Sequence, residues 1–542
     1  MNVKLLYPNR NHSDSEAYFD WNEIVKDLGL DVLFRVSRKD SALGLGASYT
    51  ASQEYENLSM VVKRVMAVCV PEDVIRYRHE ILKDCLKHES FTLRLYVICQ
   101  DTIAGWDRLG RNKKRSESND SSGGLTTDIE VLRLIFDGMS KIKALFRDYA
   151  EDIKSAGLKN LHKRIEDEFS DDKEKNLEKV LDDLSFFAVT KIKEIKRNVY
   201  ESTNPVIVLD VGFGDGLKFT DLKLDEFASK TEAYRNPNSL ASRLSNRISK
   251  FRKQTIPIRG NQGLEEDALK FEKETVGFVM TCMKNTINEY GGFIDRLRFE
   301  AGFYFGAINL KNEMRRFNIG YCFPEIGSFD TLEFKDLKEI SMAISQRRDT
   351  VGNTDNLDGK ILTVITGANQ GGKSTFLRSV GIAQIMMQCG MFVAADSYKS
   401  GLFPKIFTHF TRREDSAMNS GKLDEELKRM GRIVDNVTPG SLVLLNESFA
   451  TTTEKEGSGI AYDIVKALKE CGVKVMTVTH LMSFARRMYE ECGGSKSPDS
   501  VFLSAERLEN GARTYKMIRH EPELSSFGME LYEKIIEKEN DK

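Results

Sequence analysis

The segment Gly367 to Thr375 reads GANQGGKST and fits G-x-x-x-x-G-K-[S/T], with Gly367, Gly372, Lys373 and Ser374 at the fixed places. A loop of this kind turns backbone N–H groups and the start of the next helix toward phosphate oxygens. Its lysine meets the β and γ oxygens, and its serine hydroxyl reaches Mg2+. The expected nucleotide-binding residues are Gly367, Ala368, Asn369, Gln370, Gly371, Gly372, Lys373, Ser374 and Thr375, with Mg2+ as the cation. A second motif, SLVLLNE, ends an apolar run in Asn446 and Glu447. In a Walker B element the first of two acids supports the metal and the second polarises the attacking water. Asn446 stands at the first place. Its amide oxygen accepts a hydrogen bond but carries no charge, so the sequence predicts weaker Mg2+ affinity or slower turnover, with Ser374 and Asn446 on the metal side. Glu447 is the expected general base, or else a cap on the next helix. VKVMTVTH sets His480 at the tip of a further strand, where it can sense the γ-phosphate.

Those side chains need strands that end together. From about Ile361 onward short apolar segments (ILTVIT, SLVLL, VKVMTVT) alternate with helical stretches, which predicts a parallel sheet covered by helices on both faces. Upstream the chain reads as helical: Ser52 to Gln100, Thr127 to Val199 up to Pro205, and Glu265 to Phe317. Arg108 to Gly124 is charged, rich in Ser and Gly and without apolar anchors, and reads as a mobile surface loop. VIVLD, Val206 to Asp210, reads as a strand. The VGFGDG after it spaces Gly212, Gly214 and Gly216 as GxGxG, a glycine-rich turn and not a dinucleotide fingerprint. Between Lys230 and Gly260 basic residues dominate. Arg243, Arg247 and Lys250 fall on one helical face beside Arg252 and Lys253, either as a DNA-phosphate contact or as a solvated helix face.

At 542 residues, 40% hydrophobic and 30% charged, the chain has material for roughly three to four folded units and is not globally disordered. The formal net charge of -2 provides no whole-chain attraction to nucleic acid or membrane, so a polyanion site must be a local patch. The eight cysteines form no CxxC pair, the simplest reading being a reduced cytoplasmic protein. No apolar run approaches the roughly 18 residues of a membrane span, and the amino terminus has no signal-peptide core.

Taken together, TGANQGGKSTFLRSVGIAQIMMQCGMFVAA, NSGKLDEELKRM, LVLLNESFATTTEKEG and VMTVTH resemble the ATPase domain of the MutS family in order and spacing. The likeness runs from about Val351 to Leu531 and ends in SSFGMELYEKI. RYRHEILKDCL, Arg76 to Leu86, and INEYGGFIDRLRFEAG through CFPEI are similar to the helical core and lever that precede that ATPase. The resemblance implies an α/β P-loop NTPase domain over 341–542, preceded by a mainly helical core, lever and clamp region over 1–340, with the basic segment near the clamp. It also implies a homodimer with shared ATP sites. The chain departs from the family pattern in several places. No GDFYE-like segment is present, and little chain precedes the helical core, so the sequence reads as a short form without the mismatch-recognition domain. The stretch after His480 reads as too short for an added nuclease domain. The signature segment keeps Ser420, Gly421 and Glu426 but lacks the STF run.

The leading expectation is a dimeric DNA-binding ATPase clamp of repair or recombination, acting on double-stranded or branched DNA in preference to mispairs. The alternative is a nucleotide-gated scaffold in which Asn446 has made hydrolysis negligible. A transport ATPase finds no membrane span or coupling segment, and a long coiled-coil ATPase finds no extended heptads.

Overall fold

The computed structural model describes residues 2–8, 17–37, 51–116, 121–182, 184, 205–214, 218–229, 262–411, 421–508 and 512–522. The chain forms two compact units, one of Met1–Lys4 with Ser90–Ala301 and one of Leu5–Glu89 with Gly302–Lys542. Residues 5–89 and 302–340, assigned by sequence to the helical region, therefore pack in the same unit as the strands that follow Ile361.

In that larger unit the first helices are α1 (Trp21–Leu28), α2 (Asp31–Ser37), α3 (Ala51–Met66) and α4 (Glu72–Lys87). The single helix expected over Ser52 to Gln100 is broken twice. Pro71, which lacks an N–H, stands at the N-cap of α4 and accepts from Val74 and Ile75, and His88 ends the helix. On α4 Val74, Ile75, Arg78, Ile81, Leu82 and Cys85 are buried at three- and four-residue steps. Arg78 is wholly buried. It donates from Nε to the Leu6 carbonyl at 2.9 Å and from Nη1 to the Cys389 carbonyl at 2.7 Å, with its guanidinium over the Tyr7 ring.

The other unit is helical: α5 (Glu89–Ser116), α6 (Ser121–Asp148), α7 (Ala156–Glu168), and α8 over 171–182. Phe91 packs edge-on against Phe146, with ring centroids 5.2 Å apart. Lys143, buried on α6, pairs with Asp171 at 2.8 Å and with Glu174. Two expectations are corrected here. Residues 108–116 and 121–124 are helix and not loop, since α5 runs on through Ser116 and α6 starts at Ser121, and residues 117–120 lie outside the described residues. Arg and Lys are good helix formers, and no proline interrupts them. The helix expected from Thr127 to Val199 is interrupted between Asp148 and Ala156, where Asp152 and Ile153 turn back onto the Tyr149 carbonyl and Ile153 is buried. Pro205 opens a strand. β1 (Pro205–Gly214) pairs antiparallel with β2 (Lys218–Ser229), with Gly212 and Gly214 inside β1 and a register shift at Gly212/Phe213. Residues 215–217 and the basic segment Lys230 to Gly260 lie outside the described residues. Helix α9 (Gln262–Arg316) contributes residues to both units.

The rest of the larger unit alternates strand and helix: β3 (Glu325–Ile326), β4 (Leu332–Leu337), α10 (Ile340–Gln346), β5 (Asn353–Asn356), β6 (Leu362–Thr366), α11 (Lys373–Gln388), β7 (Ser397–Ser400), β8 (Ile406–Phe410), α12 (Lys422–Asn436), β9 (Leu442–Asn446), α13 (Glu454–Glu470), β10 (Lys474–Val478), α14 (Met482–Glu491), β11 (Ser500–Arg507) and β12 (Arg513–Arg519). A four-stranded mixed sheet has the order β3-β7-β4-β5. The main sheet has six strands in the order β12-β11-β6-β10-β9-β8. Its neighbours from β11 to β8 run parallel, as the alternation predicts, and β12 lies antiparallel on the edge. Every residue of β6, β8 and β10 is buried, the signature of strands covered on both faces. Leu362, Val364, Val443, Leu445 and Val475 share one core with Ala461, Val465 and Leu468 of α13 and Phe484 and Met488 of α14. Burying each such aliphatic side chain contributes about 1.5–3 kcal/mol. Helix α1 packs on β8 and α11, and the Arg378 side chain donates to the Asp27 carbonyl at 2.9 Å.

Candidate functional site

Register brings the chemistry to one edge. Val478 pairs with Ile365 on one side and Asn446 on the other, so β6, β9 and β10 end level and the residues after them share a cleft. Gly367 leaves β6 with φ 108, and a Cβ there would stand 2.8 Å from the Ala505 backbone nitrogen. Gly372, φ 92, is the N-cap of α11, which no side chain caps. The first N–H groups of that helix, free of any capping side chain, give its N-terminus a positive end.

Lys373, 5% exposed at its side chain, folds back on the loop. Its Nζ donates to the Gly367 carbonyl at 2.6 Å and stands 3.9 Å from Glu447 Oε1. Burial lowers its pKa, and the Glu447 charge opposes that shift. The Ser374 hydroxyl donates to Asn446 Oδ1 at 2.7 Å. A hydroxyl, a neutral amide oxygen and a buried ammonium beside an uncapped helix N-terminus suit a phosphate chain with its cation, one formal charge short on the cation side.

Glu447 is a non-glycine residue in the left-handed region, φ 55. Its N–H donates to the Val478 carbonyl at 2.8 Å, and its own carbonyl accepts the Thr411 hydroxyl at 2.5 Å. The carboxylate is hydrogen-bonded to His480 Nδ1. Burial by itself pushes the Glu447 carboxyl up, but the hydrogen bond and charge of His480, together with Lys373, hold it below its ordinary value. The hydrogen bond to Glu447 raises the pKa of half-exposed His480. Glu447 is thus kept as an acceptor, oriented by an imidazole, at the lip of the cleft.

The cleft has a volume of about 1020 Å³, and its rim includes Arg348, Val351, Asn353, Arg513 and Tyr515. Arg513 donates to Gln370 Oε1 at 2.9 Å. Sequence reading names none of these rim residues, because no motif marks them. They come from β5, β12 and the α10–β5 connection and meet the loop only in the folded sheet. Of the predicted site residues, Gly367 to Thr375, Asn446, Glu447 and His480 converge at this edge. Arg243, Arg247, Lys250, Arg252, Lys253 and Ser420 lie outside the described residues. Glu426, on α12, is buried beneath the turn after Glu447. Among the described residues no helix is long and apolar enough to cross a membrane, and no cluster of His, Cys, Asp and Glu suits a metal by itself.

Residues 363–537 match the family model for MutS domain V, and residues 71–317 match that for the MutS2 N-terminal domain. The DNA mismatch repair protein MutS of Thermotoga neapolitana is 40% identical over 136 residues, 25% of this chain and 17% of that protein. Endonuclease MutS2 of Pediococcus pentosaceus is 32% identical over 172 residues, 31% of this chain and 22% of that protein. MutS protein homolog 4 of Mus musculus is 28% identical over 228 residues, 39% of this chain and 22% of that protein. The matched part of the chain spans roughly a fifth of the length of these curated relatives. The helical match refines the core-and-lever resemblance toward the MutS2 type. With a match to MutS domain V over the cleft and a match to the MutS2 N-terminal domain before it, the chain is similar to the MutS family over these two segments.

Proposed function

We propose that the protein is a DNA-binding ATPase of repair or recombination, a homodimeric clamp with ATP sites shared between subunits. The observation that carries this reading is the convergence of Lys373, the Ser374–Asn446 pair and the Glu447–His480 pair at one edge of a parallel sheet, beside an uncapped helix N-terminus. In this reading Gly367 to Thr375 is a P-loop whose N–H groups and Lys373 bind the triphosphate. Ser374 and Asn446 hold Mg2+, Glu447 takes a proton from the attacking water, and His480 keeps Glu447 ionised and aimed. Bound Mg2+ supplies positive charge against the phosphate oxygens. Double-stranded DNA is the proposed partner, in keeping with the names of the mismatch-repair and endonuclease relatives; a preference for branched over mismatched DNA is proposed from the sequence alone, in which no GDFYE-like segment stands. The protein is placed in the cytoplasm, where its free cysteines stay reduced.

One observation favours a second reading, a nucleotide-gated scaffold: the neutral Asn446 where a charged metal-side group is expected. Steady-state ATP hydrolysis without DNA, with linear duplex and with a four-way junction separates the two, Glu447→Gln serving as control. Turnover that rises with DNA and vanishes in the variant supports the ATPase. Tight ATP binding with no turnover in the unmodified protein refutes it in favour of the scaffold.

A further inference from the structure

The turn after β9 is held from outside itself. Glu447 (φ 55) and Phe449 (φ 64) both adopt a left-handed backbone, which side chains enter only where the surroundings impose it. Thr411 and Val478 secure Glu447. Beyond it the restraint comes from α12, 23 residues earlier in the chain. The Glu426 carboxylate accepts the N–H of Phe449 at 3.1 Å and the hydroxyl of Thr451 at 3.0 Å through one oxygen. Its backbone carbonyl faces His409 Nε2 at 3.1 Å, and His409 Nδ1 meets the Ser448 hydroxyl at 2.7 Å. The same imidazole stacks on the Phe449 ring, with centroids 5.6 Å apart. Glu426 is only 5% exposed. A carboxylate buried to that degree is costly unless its oxygens find donors; here Oε2 takes both of its donors from the turn that carries Glu447, and Oε1, also buried, has no hydrogen-bond partner among the described residues.

We infer that Glu426 is a positioning residue for Glu447. By pinning Phe449 and Thr451 it sets the direction of the carboxylate two residues back, so that the start of α12 controls the rate of hydrolysis without touching nucleotide. The inference rests on reading Glu447 as the base. It is tested by ATP turnover and by affinity for a fluorescent ATP analogue in Glu426→Ala, Glu426→Gln and Thr451→Val. Glu426→Ala should lower kcat about 10- to 100-fold, as a misaimed base does, with KM and analogue affinity within about twofold of wild type, since ground-state binding is untouched. The Gln variant, whose amide oxygen accepts the same two donors, should recover to within about threefold of wild type, and Thr451→Val, which removes one donor, should fall between. Glu426→Ala turning over at the wild-type rate, or losing kcat and affinity together without rescue by Gln, overturns the inference. Should Glu426→Ala fail to fold, Thr451→Val at the full wild-type rate overturns it instead. A wild-type protein with no turnover overturns the reading of Glu447 itself, whereas normal turnover indifferent to Glu426 overturns this inference alone.

Discussion

Replacing Lys373 by methionine should separate the two roles of that residue, one in the free protein and one with nucleotide. In the free protein the ammonium has left water for two loop carbonyls, Gly367 at 2.6 Å and Ala368 at 3.4 Å, with a carboxylate no nearer than 3.9 Å. Burial lowers its pKa. For a cation, a folded-state pKa below the unfolded one means that the charged form costs stability at neutral pH. That cost disappears as pH rises through the unfolded value near 10.5. Methionine keeps the apolar stem and removes the buried charge, so unliganded Lys373→Met should melt at pH 7 no lower than wild type. The nucleotide complex should behave oppositely. Two charge-assisted hydrogen bonds to phosphate, at about 1.5–3 kcal/mol each, put the loss at about 3–6 kcal/mol, or at least roughly 100-fold in Kd. At a MgATP concentration 100 times the wild-type Kd, wild type gains about 2.7 kcal/mol of stability by mass action, whereas a variant weakened 100-fold gains about 0.4 kcal/mol. Thermal melts of both proteins with and without MgATP measure this directly. A Lys373→Met protein that keeps the full MgATP-induced shift would refute the assignment of the loop. One that is markedly less stable without nucleotide would refute the account of the buried charge.

Two further outcomes follow from the same site. The Glu447–His480 pair contributes to stability within a pH window. The raised His480 pKa makes its share complete below about 6.5 and lost as pH rises through the folded value, and the lowered Glu447 pKa makes its share complete above about 4.5 and lost as pH falls through the folded value. The difference in melting temperature between wild type and His480→Asn should therefore be greatest between about pH 4.5 and 6.5, and a difference that keeps growing toward pH 9 contradicts the pairing. At the metal side, Asn446→Asp would place a carboxylate where an amide oxygen now accepts the Ser374 hydroxyl at 2.7 Å. Changing a neutral to a charged acceptor is worth about 1.4 kcal/mol, so the Mg2+ concentration for half-maximal turnover should fall about tenfold; an unchanged Mg2+ titration would remove residue 446 from the metal side.

Sequence alone determined what depends on near neighbours. The loop from Gly367 to Ser374 needs a strand before it, a helix after it and glycines at its two ends, Gly367 and Gly372, where φ is positive, so its spacing was readable without a fold, although Gln370 between them also takes a positive φ without being glycine. The parallel sheet was legible for a similar reason, since strands buried on both faces are continuous apolar runs. The helical region was legible as helical but not in its divisions. Periodicity shows which face of a helix is apolar, and it passes over breaks such as Tyr149–Ser155 whose turn is fixed by buried Ile153. Charge and serine content misled at 108–116, where backbone hydrogen bonding continues irrespective of side-chain polarity. Tertiary structure alone decided the rest. Ser374 and Asn446 are 72 residues apart and Glu447 and His480 are 33 apart. Tyr515 and Arg513 at the rim carry no local signal, and the segments that hold Glu426 and the deeply buried Arg78, though noticed in the sequence, do not say what those side chains touch. Each is specified by which carbonyl, ring or backbone N–H the folded sheet brings within about 3 Å, and hydrogen bonds of that length are selected by packing in three dimensions, not by distance along the chain.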